Sequence, residues 1–322
     1  MSNFAIVLRI PFFIAALAIA ASANAQDRGV NIMAGPALST SLKISEDIGA
    51  LTQACGLPAI AHQTTGALEN LLELKERRYT QFAIMQSDVL EYLKTFETDD
   101  PQIGTAIDGI RVAMPLFAEE VHVLARKDIP DMASLDGRRV SIGGAESGTF
   151  LTATLMLRLL GIEPSETFEF DPIDAFAAMA ADEIDAFFFV DGAPTPLFKT
   201  AEFDPEAVHL LPIDDPLMQA AYKPALIRAG TYPFLDKDLD VVSVESVLLT
   251  FNYVRTGRNR YSADNCQMVA DVTSLIKQNI NSLAATGHPK WAEVDLDFEV
   301  PDWLFAGCAV RGLNPDYRPI CQ

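Results

Sequence analysis

The chain has 322 residues and carries 24 Lys and Arg against 44 Asp and Glu, which gives a formal net charge of −20 at pH 7. The acidic residues are spread along the chain, as on an ordinary soluble surface, and no basic patch could neutralise nucleic-acid phosphates. These features argue against a nucleic-acid partner. The length favours two domains of about 150 residues each.

The first 25 residues have the features of a secretory signal peptide. Arg9 precedes an apolar run over residues 10–20, and Ala23-Asn24-Ala25 forms an A-x-A cleavage site. The apolar run is short for a membrane span, although an uncleaved N-terminal anchor is the alternative interpretation. We therefore expect export to the periplasm and a mature chain that starts at Gln26.

Three strand–helix pairs open the mature chain. Apolar strands over residues 30–34, 59–62 and 81–85 each run into a loop of small hydroxyl or amide residues and then into an amphipathic helix. This alternation predicts a parallel, doubly wound α/β sheet. In such sheets, ligands bind at the carboxyl ends of the strands.

A second copy of the pattern lies between two long extended segments, residues 111–126 and 241–254. A helix capped by Ser262 and a tail rich in Pro, Asp and aromatic residues follow the second segment. The two segments are long enough to cross between lobes, which indicates a hinged clamshell. We predict a signal peptide at 1–25, lobe I at 26–115 and 245–322, and lobe II at 116–244, with one doubly wound sheet in each lobe.

The loop from Gly143 to Thr149 joins a strand to a helix within the second copy. Ser147 could be an ordinary helix cap, or the helix N-terminus and its free N–H groups could bind a carboxylate or phosphate. Both interpretations remain open at this point. A serine nucleophile is not indicated, because the G-x-S-x-G elbow is absent and the four histidines are scattered.

Four cysteines in an exported chain predict two disulfides, with three possible pairings. Cys308 and Cys321 flank a segment rich in turn formers, so we pair them, which leaves Cys55 to pair with Cys266. No C-x-x-C motif occurs, and we predict neither a metal site nor a cofactor.

Four motifs, taken in order, resemble those of the TAXI family, the extracytoplasmic solute receptors of tripartite ATP-independent periplasmic (TRAP) transporters. They are Gln86-Ser87-Asp88, residues 143–149, residues 185–196, and Ala229-Gly230-Thr231-Tyr232-Pro233. The resemblance covers residues 30–291. It implies a two-lobed type II periplasmic-binding-protein fold without catalytic activity. It also implies hinge closure around a glutamate-like or other small carboxylate, and delivery of that ligand to a TRAP permease by a receptor that we expect to be monomeric.

The resemblance also implies a set of ligand-binding residues on both lobes. They are Ser39, Thr40, Thr65, Gly66, Gln86, Ser87, Glu119, Ser147, Gly148, Thr149, Phe189, Asp191 and Gly192. No arginine falls in these loops, so a bound carboxylate would rely on hydroxyl and backbone N–H groups. One of the two mid-crossing acids, Glu119 and Glu120, could instead hold a ligand amine.

Two alternative functions remain open at the level of sequence. The first loop, residues 35–41, lacks the glycine pair and the tyrosines that are usual in the TAXI family. This difference, together with the predicted disulfide in the C-terminal tail, motivates an alternative hypothesis. In it, the protein is a stand-alone periplasmic sensor or adaptor that signals through a protein partner. A secreted enzyme on the same two-lobed scaffold is the third hypothesis, which the missing nucleophile–base pair disfavours.

Overall fold

The computed structural model describes residues 29–77, 79–96, 100–200, 204, 206–254 and 259–320. The predicted signal peptide and the predicted new N-terminus at Gln26 lie outside the described residues, as does Cys321. Within the described part, no helix is long and apolar enough to cross a membrane.

The first half of the described chain alternates strands with helices, as predicted. Its elements are β1 (Val30–Gly35), α1 (Thr40–Gln53), β2 (Ala59–Gln63), α2 (Ala67–Glu76), β3 (Thr80–Gln86), α3 (Ser87–Phe96), α4 (Pro101–Gly109) and the long strand β4 (Ile110–Arg126). The predicted strands lie within β1–β3 to within one residue. Helix α4 was not predicted.

The second half contains the other copy of the pattern and the C-terminal helices. Its elements are β5 (Arg139–Ser141), α5 (Gly148–Leu160), β6 (Glu166–Phe168), α6 (Pro172–Ala180), β7 (Ala186–Asp191), α7 (Pro196–Thr200), β8 (Val208–Leu210), α8 (Pro216–Ala221), β9 (Lys223–Ile227), β10 (Leu239–Phe251), α9 (Arg260–Thr286) and α10 (Gly307–Leu313). The prediction that Ser262 caps α9 is wrong. Asn259 is the cap, and its side chain accepts a hydrogen bond from the Ser262 N–H at 2.8 Å.

The described strands form one sheet in the order β2-β1-β3-β10-β4-β7-β5-β6, with β8 added to β4 and β9 added to β10. Neighbouring strands are parallel within lobe I (β1–β3) and within the part of lobe II formed by β5, β6 and β7. Strands β4 and β10 run antiparallel to each other through both lobes. The two sheets expected from the sequence are therefore continuous, because both crossing strands hydrogen-bond into one ladder.

The ladder between β4 and β10 shifts its register near its middle and again further into lobe I. At the central shift, Glu245 pairs with Ala118, but the next recorded pair is Val247 with Pro115, so two residues of β4 oppose one residue of β10. This arrangement is a β-bulge, which bends a strand and increases its local twist. The central bulge lies between the apolar cores of the two lobes.

The described residues form three apolar cores around this sheet. In lobe I, alternate residues of β3 point to opposite faces. Phe82 packs with α1 and α9 on one face, and Met85 packs with α2, α3 and α4 on the other. The third core fills lobe II around Phe187 and Phe198. Along β4, Phe117 belongs to a core of lobe I and Val121 belongs to the core of lobe II. The lobe boundaries at 115/116 and 244/245 stay a prediction.

Both predicted disulfide pairs are wrong. Cys266 on α9 bonds to Cys308 on α10, with a Cα–Cα distance of 5.2 Å. Helix α10 packs directly on α9, so the two cysteines face each other although they lie 42 positions apart in the sequence. Cys55 is also disulfide-bonded, and the predicted partner of Cys308, Cys321, lies outside the described residues. The turn-forming residues after Cys308 gave no information about which helices pack together.

Candidate functional site

A small cavity of about 70 Å³ lies between the two lobes, where the strands of both lobes end. Lobe I contributes Gly35 at the end of β1 and Gln86 at the end of β3, and lobe II contributes Asp191 at the end of β7. These positions agree with the rule that open α/β sheets bind ligands beyond the carboxyl ends of their strands.

Among the described elements, four helices begin at the wall of this cavity: α1, α2, α5 and α6, the last through Asp171 and Pro172. The Ser39 hydroxyl caps α1 by accepting the Leu42 N–H at 3.2 Å, and the Ser147 hydroxyl caps α5 by accepting the Phe150 N–H at 3.1 Å. Gly66 precedes α2. The first N–H groups of a helix have no partner within it and carry the positive end of the helix dipole. Ser147 is therefore both an ordinary cap and a lining residue of the cavity.

A buried amide behind the cavity holds two of these strand ends together. Asn70 on α2 is 1% exposed, and its side-chain nitrogen donates to the carbonyl oxygens of Ala34 and Ile84 at 3.1 and 2.8 Å. The Thr64 hydroxyl donates to the Asn70 side-chain oxygen at 2.6 Å. The amide thus fixes the spacing of β1 and β3 at the rim and satisfies its own buried polar atoms.

Glu119, in the middle of β4, presents its carboxyl group to the cavity. Its oxygens accept hydrogen bonds from the Gln86 side-chain nitrogen at 2.6 Å and from the Ser41 hydroxyl at 3.3 Å. Burial, together with the charge of Asp191, raises the pKa of Glu119 to about 8, and the hydrogen bonds from Gln86 and Ser41 offset only part of that rise.

Asp191 is the second buried carboxyl group of the site and is 2% exposed. Burial raises its pKa to about 6, against the opposing effect of the hydrogen bond from the Thr40 backbone N–H to Oδ1 at 2.9 Å. Its other oxygen, Oδ2, is buried and has no hydrogen-bond partner in the described part of the chain. Glu119 and Asp191 together give the cavity an acidic end.

Direct contacts between the lobes show that this conformation is closed. Thr40 of lobe I donates from its backbone to Asp191 and from its hydroxyl to the Gly192 carbonyl at 3.2 Å, both in lobe II. The Leu68 N–H of α2 donates to the Glu146 carbonyl of lobe II at 3.2 Å. These bonds join the two lobes beside the cavity.

Two glycines allow this close approach. A Cβ on Gly66 would lie 2.9 Å from the Ser147 Cα, and a Cβ on Gly148 would overlap the Gln86 side-chain amide. Neither contact is possible for a real side chain without displacement of the other lobe or of Gln86. The closed form thus depends on two glycines. Gly66 lies against the backbone of Ser147, and Gly148 lies against the side-chain amide of Gln86.

The structure brings together ten of the thirteen predicted site residues at the cavity wall. They are Ser39, Thr65, Gly66, Gln86, Glu119, Ser147, Gly148, Thr149, Phe189 and Asp191. Thr40 and Gly192 contact each other beside the cavity and do not line it. Ser87 lines a separate, open groove with Asp88, Tyr222 and Trp303. Whether any of these residues contacts a ligand stays a prediction.

Other lining residues were missed by the sequence analysis. They include Ser41, Asn70, Asp171 and Phe188. Asp171 directly precedes Pro172, and this Asp-Pro pair at a helix start was an available signal. Ser41 and Asn70 lie inside amphipathic helices, where a polar residue at a buried position was the only sign. Phe188 and Phe189 are neighbours on β7, and both line the cavity.

His122, close to the acidic end, is a packing residue of lobe II. It is 1% exposed, and burial lowers its pKa to about 4, so the ring is neutral near pH 7. Its ring nitrogens lie 3.2 Å from the Phe189 carbonyl and 2.7 Å from the Tyr232 hydroxyl. With both nitrogens engaged and no nucleophile in contact, the ring has no free position for proton transfer.

A buried ion pair lies next to the cavity. Lys290, from the segment after α9, is 1% exposed, and its Nζ lies 2.6 Å from Glu120 Oε1 and 2.6 Å from Glu293 Oε2. Burial alone would lower the pKa of Lys290, but the charges of these two carboxylates outweigh it and raise the pKa. The other Glu120 oxygen accepts the Ala193 N–H at 2.6 Å. The pair links the C-terminal segment to lobe II.

Comparison with known proteins identifies a family and a fold. The model of the NMT1-like family matches residues 32–257. The crystal structure of Tv2483 bound to L-arginine has a TM-score of 0.50 at 12% identity, covering 84% of this chain and 94% of that one.

Two further solved structures are similar to this chain at lower TM-scores. The alkanesulfonate-binding protein SsuA from Xanthomonas axonopodis pv. citri, bound to MOPS, has a TM-score of 0.41 at 14% identity, covering 84% of this chain and 85% of that one. The GluR0 ligand-binding core from Nostoc punctiforme in complex with L-glutamate has a TM-score of 0.41 at 16% identity, covering 77% of this chain and 97% of that one. The comparison of folds rests on the Tv2483 structure, and at 12% identity this likeness concerns the fold alone. The predicted two-lobed type II periplasmic-binding fold is confirmed.

Proposed function

Because this chain belongs to the NMT1-like family and has a type II periplasmic-binding fold, we propose that it is a periplasmic receptor that captures a small polar, carboxylate-bearing solute by closure of its lobes. The observation that carries the proposal is the cavity whose wall is shared between the lobes. A ligand that bridges two lobes binds the closed form better and shifts the population toward it. The activity is binding, without catalysis.

The helix starts at the cavity wall support the carboxylate part of this proposal. Gly66 and Ala67 begin α2, and Ser147 and Gly148 begin α5, so the two starts lie on opposite lobes and converge on one spot. Backbone N–H groups at helix starts hold carboxylates without any charged side chain. A solute carboxylate placed there would join the lobes through both helices.

We further propose delivery to a TRAP-type permease, in line with the TAXI resemblance of the sequence motifs. Transport by permease subunits reconstituted in vesicles should then require this receptor together with its solute. A receptor that binds its solute but leaves such transport unchanged would favour the alternative, a periplasmic sensor that signals through a protein partner.

Thermal-shift screening of small acids and amino acids, followed by small-angle scattering, tests the receptor function. A solute at about 100 times its Kd should add about 2.7 kcal/mol to the stability of the folded state. The radius of gyration should fall on binding, and the solute should be recovered chemically unchanged. If no small solute stabilises the protein or changes its scattering, or if the solute is converted, the receptor function is wrong.

A further inference from the structure

The open groove that Ser87 lines is a second space between the lobes, and we call it the edge groove. Its volume is about 860 Å³, within the usual range for small-molecule pockets. Helix α3 and the C-terminal segment 298–303 form its lobe I wall, and α5, the end of α8 and the start of β9 form its lobe II wall. It shares no lining residue with the cavity at the strand ends, so the proposed receptor function does not use it.

The edge groove exists because one edge of β10 changes its partner strand. Strand β9 pairs with β10 up to Ser243, and β3 pairs with the same edge from Ser246 onward. Val244 and Glu245 lie between these two ladders, and both line the groove. The gap in the sheet therefore leaves a short stretch of β10 facing a space whose walls come from both lobes.

Glu245 lines this groove with a buried carboxyl group. It is 8% exposed, and within the described part of the chain it makes neither a hydrogen bond nor an ion pair. Burial raises its pKa, and the charge of Lys223, which is exposed, opposes that rise only in part. Lys290, another cation that acts on it, is already paired with Glu120 and Glu293. A buried carboxylate without a partner is unfavourable, so this position lacks a cation.

The other charged residues of the groove wall have partners or are exposed. The Asp88 oxygens accept the Val89 N–H at 2.9 Å and the Thr152 hydroxyl at 2.7 Å. Glu91 pairs with Lys94 at 3.7 Å. The exposed charged residues of the wall include Arg158, Lys223 and Asp302. Glu245 is therefore the buried charge of the groove that has no partner.

The rest of the wall is rich in apolar and aromatic side chains. They come from both lobes and include Tyr92, Leu155, Tyr222, Phe298, Val300 and Trp303. Apolar walls bury the body of a small molecule, and aromatic faces attract cations. Such a wall suits a cation with an apolar body rather than a bare metal ion, for which the described residues offer no cluster of ligands.

We propose that the edge groove is a second ligand site, which binds a small organic cation with its ammonium group on Glu245 and its apolar body against the aromatic wall. An ammonium N–H donor would give Glu245 the charge-assisted hydrogen bond that it lacks. A ligand placed there contacts both lobes. The inference concerns other residues than the proposed receptor function and does not depend on it.

The direct test uses the unmodified protein and sets of three probes that share a body and differ in their polar end. One set is phenethylamine, 2-phenylethanol and 3-phenylpropionate, and the other is cyclohexylmethylamine, cyclohexylmethanol and cyclohexylacetate. Calorimetry near neutral pH, where both amines are protonated, measures the affinities. In the set that fits, the amine should bind at least about tenfold more tightly than the alcohol, and the acid should bind most weakly.

Tryptophan fluorescence places the bound amine. The chain has two tryptophans, and Trp303 lines the edge groove whereas Trp291 does not. Binding of the amine should change the fluorescence of the unmodified protein, and this change should be lost in Trp303→Phe.

Variants then assign the preference for the amine to Glu245. Glu245→Gln keeps the size of the side chain and removes its charge, so it should weaken binding of the amine by about 10–100-fold and bring it close to that of the alcohol. Lys223→Gln removes the cation whose charge acts most on Glu245 and should strengthen binding of the amine. Glu163→Gln, at an exposed position outside the groove and the cavity, is the control and should change no affinity.

Several results would overturn the inference. If neither amine binds, if the alcohol binds as tightly as the amine, or if Glu245→Gln keeps full affinity for the amine, the cation site is wrong. An amine that binds without a change in tryptophan fluorescence lies elsewhere on the protein, which also rejects the site. Thermal unfolding of each variant without a probe shows that a loss of affinity is not a loss of folding. None of these results bears on the receptor function, which concerns the other cavity.

Discussion

At the scale of single residues, Glu119 couples protonation to the conformation of the protein. In the closed form its pKa is raised to about 8 by burial and by the charge of Asp191, whose own pKa is raised to about 6. Opening would return both groups to water and toward their ordinary pKa values. The closed form therefore binds more protons than the open form, and its stability falls as the pH rises through the interval from the ordinary value to the raised one.

The expected result is a pH-dependent opening of the solute-free protein. Its radius of gyration, measured by small-angle scattering, should increase between about pH 4 and about pH 8. Glu119→Gln should remove most of this increase above about pH 7, because the remaining group, Asp191, has a pKa of about 6 and is largely ionised there. The exposed Glu163→Gln variant should behave like the unmodified protein. Scattering that is independent of pH, or the same in Glu119→Gln, would contradict this coupling.

The ion pair of Lys290 with Glu120 gives a second prediction at this scale. Lys290→Met leaves Glu120 as a buried charge without its cation, which should cost about 3–5 kcal/mol of unfolding free energy. The double variant Glu120→Gln/Lys290→Met removes both charges and should recover much of that loss. Urea denaturation near neutral pH measures both. A loss below about 1 kcal/mol for Lys290→Met would show that the pair is effectively solvated.

At the scale of elements, the start of α5 decides whether the lobes can close. Gly148 is its first residue and faces the Gln86 amide across the cleft, so Gly148→Ala should hold the lobes apart or displace Gln86 from Glu119. We expect a weaker affinity for the solute, by at least about tenfold, at nearly unchanged stability. Gly307→Ala, where a Cβ meets only Val254 at 3.4 Å, is the matched control.

Calorimetry and scattering on these two variants check the prediction. Gly148→Ala should show a larger radius of gyration in the presence of solute than the unmodified protein, because the closed form is penalised. Full affinity and full compaction in Gly148→Ala would mean that the cleft tolerates a methyl group there. In that case the contact seen between the lobes would not limit closure.

Most elements could be predicted because local rules decide them. The apolar strands of lobe I and the Gly161 that ends α5 in a left-handed conformation follow from spacing and from glycine's freedom at positive φ. The ten lining residues among the thirteen predicted ones lie mostly in or beside strand-to-helix loops, which the fold places at one edge of the sheet. Their contact with a ligand remains a prediction.

What could not be predicted depends on packing between distant segments. The pairing of Cys266 with Cys308 requires knowing that α10 lies on α9, and no short-range pattern contains that information. Ser87 follows Gln86 directly but begins α3, so it faces a different groove. Asp171 was also missed, because it reaches the cavity only through the fold of lobe II.

At the scale of the whole molecule, the central bulge in the β4–β10 ladder is the natural place for the lobes to bend. Ladder pairing stops at Ala118 with Glu245 and resumes at Pro115 with Val247. Pro115 has no N–H to donate, and a bulge already leaves one residue unpaired. Bending there would break few hydrogen bonds that the closed form makes. We propose this point as the hinge between the lobes, whose predicted boundaries at 115/116 and 244/245 lie beside it.

The continuous sheet has a consequence for how the protein comes apart on heating. Because β4 and β10 belong to the ladders of both lobes, one lobe cannot melt without exposing an unpaired edge of the other. We therefore expect the lobes to unfold together rather than in sequence. Scanning calorimetry of the solute-free protein should show one peak whose calorimetric and van't Hoff enthalpies agree, as for a single cooperative unit. Two resolved peaks would mean that the lobes unfold independently, despite the strands that they share.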